Sequence, residues 1–104
     1  MNWGTRPEAD ADLVRGREWI EADNPEAGQE FLRTARGCFE RLGQFPELGA
    51  EARIQGKEFS AVRFLVLDPP FNRWIVFYRV TGLVEIVRVL YGTQNWRQAP
   101  RRFF

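Results

Sequence analysis

Three arginines thread the most apolar stretch of this chain. In NRWIVFYRVTGLVEIVRVLYG, residues 72 to 92, Arg73, Arg79 and Arg88 interrupt runs of Val, Ile, Phe and Tyr, and the phenol of Tyr91 nearly closes the second run. A guanidinium is a planar fork suited to bidentate contact with carboxylate or phosphate, and a phenol can exchange a proton with a reacting group. Tyr91 and Arg88 are therefore the candidates for any catalysis. The usual accompanying groups are missing. The chain has no histidine, which removes His-based triads, His-ligated zinc and imidazole acid–base pairs. Neither LGQFPELG nor IQG has the spacing or the Lys-Ser/Thr pair of a phosphate-binding loop. Cys38 is the single cysteine and reads as a small core residue. Neither cofactor nor metal is expected.

The arginines need strands to hold them. AVRFLVL reads as a strand from Ala61 to Leu67 ended by Asp-Pro-Pro, and residues 73–80 and 83–91 flank Thr81-Gly82 as a hairpin. A two-residue turn would set Val80 opposite Leu83, and opposed residues share a face. One face would then carry Trp74, Val76, Tyr78, Val80, Leu83, Glu85, Val87, Val89 and Tyr91, with Glu85 a structural acceptor near Tyr78. The other would carry Arg73, Ile75, Phe77, Arg79, Val84, Ile86, Arg88 and Leu90. An apolar patch among arginines is what a partner-binding surface looks like. Arg73, Ile75, Phe77, Arg79, Ile86, Arg88 and Leu90, joined by Trp96 and Arg97 after the last strand, are thus the expected binding residues. The alternative is that TQNWRQAPRRFF folds back and covers the face with Trp96, Phe103 and Phe104.

Two helices must cover the first face. Residues 6–23 read as one helix: Thr5 and Glu8 have capping-box spacing, and Pro7 is tolerated in the first turn. Ala9, Leu13, Gly16 and Ile20 form its apolar stripe, with Asp10, Asp12, Arg15, Arg17 and Glu21 mainly on the other side. Asn24-Pro25 caps a second helix over 25–42, striped by Ala27, Phe31, Ala35, Cys38 and Leu42 and stopped by Gly43. So short a join makes an antiparallel helical hairpin. The fold expected is α+β: an N-terminal helical hairpin on one face of a three- to four-stranded antiparallel sheet, with 61–91 as main sheet and 92–104 as tail. Met1–Trp3 could add a short edge strand.

At 104 residues, 44% hydrophobic and 14% aromatic, the chain suits one packed domain over 1–104. No apolar run reaches the roughly 20 residues of a membrane helix. MNWGTRPEAD lacks a basic region followed by an apolar one, so no secretory signal is expected. With one cysteine, the cytoplasm is the expected compartment. Residues 1–52 carry 11 Asp/Glu against 6 Arg, and residues 53–104 carry 9 Arg/Lys against 3 Asp/Glu. The helical half is acidic and the sheet half basic.

RPEADADLVRGREWIEADNPEAGQEFLR, then FPELG, WIVFYRV and VEIVRVLYG, resembles the ParE branch of the RelE/ParE toxin superfamily from about Arg6 to Asn95. The most specific pieces are the Ala-Asp-x-Asp-Leu start of the first helix, DNPEA, and the FYRV…VEIVRVL hairpin. The resemblance implies a toxin encoded beside a cognate antitoxin that neutralises it. It implies DNA gyrase as target, contact with nucleic acid only through the antitoxin, and a toxin–antitoxin hetero-oligomer. Relatives on the same fold cleave messenger RNA in the ribosome, and that reading stays open, as does an inactive homologue serving as an interaction module. Tyr91 stands where many ParE-like sequences have His, Gln94 where a basic residue commonly follows the glycine, and Ile75 where ribonuclease members tend to have Arg. The nuclease set is therefore incomplete.

Overall fold

Strand β1 (Trp3–Thr5) leads into helices α1 (Pro7–Glu21) and α2 (Pro25–Gln44), followed by strands β2 (Ala50–Glu51), β3 (Arg63–Val66), β4 (Trp74–Val80) and β5 (Val84–Tyr91). Short 3-10 turns lie at Lys57–Phe59 and Pro100–Arg102. The computed structural model describes residues 1–92 and 95–104. The architecture is the expected α+β arrangement, but the sheet has five strands in the order β1-β5-β4-β3-β2. The first strand is parallel to β5 while the other pairings are antiparallel. Two of these strands are too short to announce themselves in sequence.

Asn24 caps α2 as expected, its side chain accepting from the Ala27 N–H at 3.3 Å. The expected capping box on α1 does not form. Arg6 is the N-cap and uses no side-chain bond, while Thr5 belongs to β1 and donates its hydroxyl to Asp10. Gly43 does not stop α2, which runs on to Gln44. A Cβ there would stand 2.8 Å from the Met1 carbonyl oxygen, so this glycine lets the N-terminal strand cross close by. Gly16 does the same for α1 over the sheet, where a Cβ would meet the Trp74 ring at 2.9 Å.

The hairpin corrects the expected register. Val80 faces Val84, not Leu83, so the loop holds three residues, with Gly82 at φ +93°. That φ favours glycine and suits a three-residue loop. A bulge then shifts the ladder once more: Phe77 faces Arg88 while Tyr78 faces Ile86, leaving Val87 unopposed. Each one-residue shift reverses which side chains face the helices. Two shifts cancel, so the expected faces hold from Arg88 onward and are inverted before it. Val84 and Ile86 join the core under the helices, and Glu85 turns to the opposite face beside Arg79. The alternative register would have put a carboxylate where Ile86 is now fully buried.

The core between helices and sheet contains Phe31, Ala35, Cys38 and Leu42 from α2 against Trp74, Val76, Tyr78 and Val89. Tyr78 is fully buried with its hydroxyl satisfied: it donates to the Pro46 carbonyl at 2.7 Å and accepts from the Gly49 N–H at 2.9 Å. Glu85 is therefore not its partner.

Candidate partner-binding surface

The second sheet face is closed. Residues after the last strand fold back across it, and Trp96 and Leu90 pack with Phe77, Ala52, Ile54 and Val62 in a second core. Phe77 is sandwiched edge-on, with ring centroids 4.8 Å from Trp96 and 5.0 Å from Phe104. Hydrogen bonds fasten the cover: Arg97 Nε donates to the Ala52 carbonyl at 3.1 Å and Gln55 N–H to the Arg97 carbonyl at 3.2 Å. The Arg97 guanidinium lies 4.3 Å from the centre of the Trp96 ring.

The residues expected to bind a partner thus scatter. Phe77, Leu90 and Trp96 are buried on this face, with Ile75 packed at its margin. Ile86 is fully buried on the other face, beneath the helices. Arg73 and Arg97 are exposed. Arg79 donates Nε to Glu85 at 2.7 Å, and Glu85 also lies 3.5 Å from Arg6. The hydrogen bond from Arg79 holds the Glu85 carboxyl below the usual carboxylate range, against a small opposing effect of burial.

Arg88 is the most committed of the three. Its Nε and Nη2 reach the two oxygens of Asp12 at 2.7 and 2.8 Å, and its Nη1 donates to the Phe103 carbonyl. Hydrogen bonding to Asp12 raises the Arg88 pKa despite its burial. Asp12 is buried, not on the polar side of α1. It lies three residues after Ala9 and four before Gly16, both buried, and that spacing was the signal that it faces inward.

A groove survives where α1 crosses the end of β5. Tyr91 is 37% exposed there and Trp19 63% exposed. Their ring centroids are 5.6 Å apart, and Tyr91 lies 5.2 Å from Trp74. Arg15, Glu18, Arg102 and Phe103 complete the rim. The Trp19 indole is thus largely exposed and meets the Tyr91 ring edge-on. Gln94 lies outside the described residues. Among the described residues no helix is long and apolar enough to cross a membrane.

A family model for the ParE toxin of the type II toxin–antitoxin system parDE matches residues 5–96. "Putative toxin Y4kP" of Sinorhizobium fredii (strain NBRC 101917 / NGR234) is 29% identical over 80 residues, covering 77% of this chain and 76% of that protein. "Toxin RelE2" of Caulobacter vibrioides (strain ATCC 19089 / CIP 103742 / CB 15) is 31% identical over 84 residues, covering 81% and 86%. A chain of the chromosomal ParDE TA system from P. aeruginosa has the same fold: TM-score 0.71 over 89% of this chain and 97% of that one, at 21% identity. With the family match spanning Thr5 to Trp96, this chain belongs to the ParE toxin family of type II toxin–antitoxin systems.

Proposed function

We propose that this toxin acts by binding a large protein target, DNA gyrase first among candidates, and that a cognate antitoxin neutralises it by occupying its surface. The supporting observation is the state of the hairpin arginines. Arg79 is paired with Glu85 and Arg88 with Asp12, while Trp96 and Phe104 pack over the sheet face near them. Cleaving RNA would need cations free to meet the charge that develops on phosphate, and these two are already matched within the chain. Open to a macromolecule are the aromatic groove of Trp19 and Tyr91 with Arg102 exposed beside it, and the exposed Arg73 and Arg97. Aromatic and arginine groups of that kind dominate protein–protein contacts. In this reading the toxin works in the cytoplasm, within a toxin–antitoxin hetero-oligomer when silenced, and meets DNA only through the antitoxin.

The test is a supercoiling assay with purified toxin and gyrase, with and without the protein encoded beside the toxin. Inhibition relieved by that protein is the expected result. Ribosome-dependent cleavage of messages with no effect on gyrase would overturn it in favour of an endoribonuclease. That second reading rests on the exposed Tyr91 phenol. No effect in either assay would point to an inactive homologue.

A further inference from the structure

We propose that the groove between Trp19 and Arg102 binds a purine nucleoside polyphosphate. The base stacks at the Tyr91 end, and the terminal phosphates lie among arginines at the Val87 end. Two cavities meet there. The larger, about 740 Å³, runs beside Trp19, Trp74 and Tyr91. The smaller, about 180 Å³, is lined by Arg6, Arg101 and Arg102 around Val87. They share Arg88, Arg102 and Phe103, and so form one channel along β5.

The two ends differ in chemistry. At one, the Trp19 indole is 63% exposed and meets the Tyr91 ring edge-on, which leaves an aromatic surface for a base. Glu18 lines this end, and Arg15 is already paired with Asp12 at 2.7 Å. A carboxylate beside the rings accepts from a base amino group and repels phosphate, so the orientation is set. The small cavity holds four arginines against one carboxylate, that of Glu8. Arg88 is committed to Asp12 and the Phe103 carbonyl. The others are freer: Arg102 is exposed, Arg6 stands 3.5 Å from Glu85, and Arg101 keeps a surface bond to Glu58 with its side chain 85% exposed. Guanidinium forks hold phosphate through paired hydrogen bonds.

Spacing selects the ligand. Tyr91 and Val87 are four residues apart on β5, about 13 Å at the rise of a strand. That is the reach from a base to a second or third phosphate; a monophosphate on Trp19 would stop short of Arg101 and Arg6. The small cavity has room for a terminal phosphate and is backed by Val87, Phe103 and Phe104. A free phosphate end fits such a closed space. A nucleic-acid strand, whose backbone continues past every phosphate, does not.

The probe is ATP, titrated into the whole chain by calorimetry and by NMR of the indole N–H groups. Binding should be measurable below about 1 mM and should shift the Trp19 indole signal. Adenosine and inorganic triphosphate each carry one half of the ligand and should bind at least about tenfold more weakly than ATP. Trp19→Ala should weaken ATP binding at least about fivefold, the lower end of what one stacked base contributes. Arg102→Gln should weaken ATP and inorganic triphosphate alike, by about tenfold. Both side chains are exposed, so both variants should keep a native melt. No binding at about 1 mM, or an unmoved Trp19 signal in the bound state, would overturn the site. Inorganic triphosphate binding as tightly as ATP would overturn the base end and leave a plain anion patch. A short oligodeoxyadenylate binding more tightly than ATP would overturn the closed phosphate end in favour of a nucleic-acid surface.

Discussion

Asp12 of α1 and Arg88 of β5 form a two-pronged ion pair, Nε to Oδ2 at 2.7 Å and Nη2 to Oδ1 at 2.8 Å, with side chains 3% and 17% exposed. The same carboxylate accepts the Val89 N–H, and the same guanidinium donates to the Phe103 carbonyl. Helix, strand and C-terminal segment therefore meet at one pair of charges. The pair also answers why an arginine sits in a strand the core depends on. Where β1 ends, Asp12 supplies the acceptor that the β5 edge would otherwise lack, and Arg88 donates to both of its oxygens.

Removing one member should cost far more than removing both. Asp12→Ala leaves a poorly exposed guanidinium unpaired and should lower stability by about 3–5 kcal/mol. Arg88→Met alone should do comparable damage, while the double substitution should be well short of the sum. Urea unfolding of the four proteins measures the coupling. Strict additivity would mean that the two charges do not act as a unit.

The C-terminal cover changes what Phe77 can report. On an open face, Phe77→Glu would weaken antitoxin binding by about 2 kcal/mol, the scale of an interface hot spot. In the structure Phe77 is fully buried between Trp96 and Phe104. A carboxylate there has no partner and should unfold the protein or expel the tail. Trp96→Ala is the gentler probe, expected to cost roughly 3 kcal/mol from lost packing. Near-native thermal stability in Trp96→Ala would show that the cover contributes little.

Much of this fold was legible because its signals are local. Asn24-Pro25 marks a helix start, the Phe31–Leu42 stripe marks a buried face, and the FYRV and VEIVRVL runs mark strands. The binding face was not legible, for a reason of parity. Thr81-Gly82 gives the position of a turn but not whether Leu83 belongs to it, and one residue decides the side for Val84, Glu85 and Ile86. The Val87 bulge restores the faces beyond it, which is why Arg88 and Leu90 fell on the expected side. Whether twelve residues of tail cover a sheet or trail into water is a long-range question that periodicity cannot answer. Asp12 could have been found, since an acid spaced between Ala9 and Gly16 must face something.

The Arg79–Glu85 pair predicts an acid-side dependence. Pairing with Arg79 lowers the Glu85 pKa in the folded state. Its contribution is therefore present above the ordinary carboxylate value of about 4.3 and fades as pH falls through the lower folded value. The pair is partly exposed, so the effect should stay below about 1 kcal/mol. Melting temperatures of the native protein and Glu85→Gln should differ at pH 7 and converge in strong acid. A gap that persists at pH 2 would assign the difference to packing.

Burial pushes the Cys38 thiol up to about 11, against smaller effects of Arg41 in the opposite direction. The thiolate is the reactive form, so an aromatic disulfide reagent at pH 8 should label Cys38 only when the helices part from the sheet. Labelling rates should follow urea concentration as unfolding does. Fast labelling of the native protein would mean that α2 opens locally.

Tyr91 separates the two readings of function with a single oxygen atom. Its ring touches Trp19 and Trp74 at 5.6 and 5.2 Å, contacts that phenylalanine would keep. A toxin that works by binding through this groove uses the ring and the backbone, so Tyr91→Phe should inhibit growth nearly as well as the native protein. Tyr91→Ala removes the ring from between the two indoles and should weaken target binding by about 2 kcal/mol or more. A nuclease using the phenol as acid or base would show the opposite order of importance. Tyr91→Phe alone would then reduce its rate on the order of 10²-fold or more. Growth arrest from titrated expression of the three proteins, each at matched soluble levels, decides between them. Loss of toxicity in Tyr91→Phe with a native thermal melt would move the chemistry to the hydroxyl and end the binding interpretation.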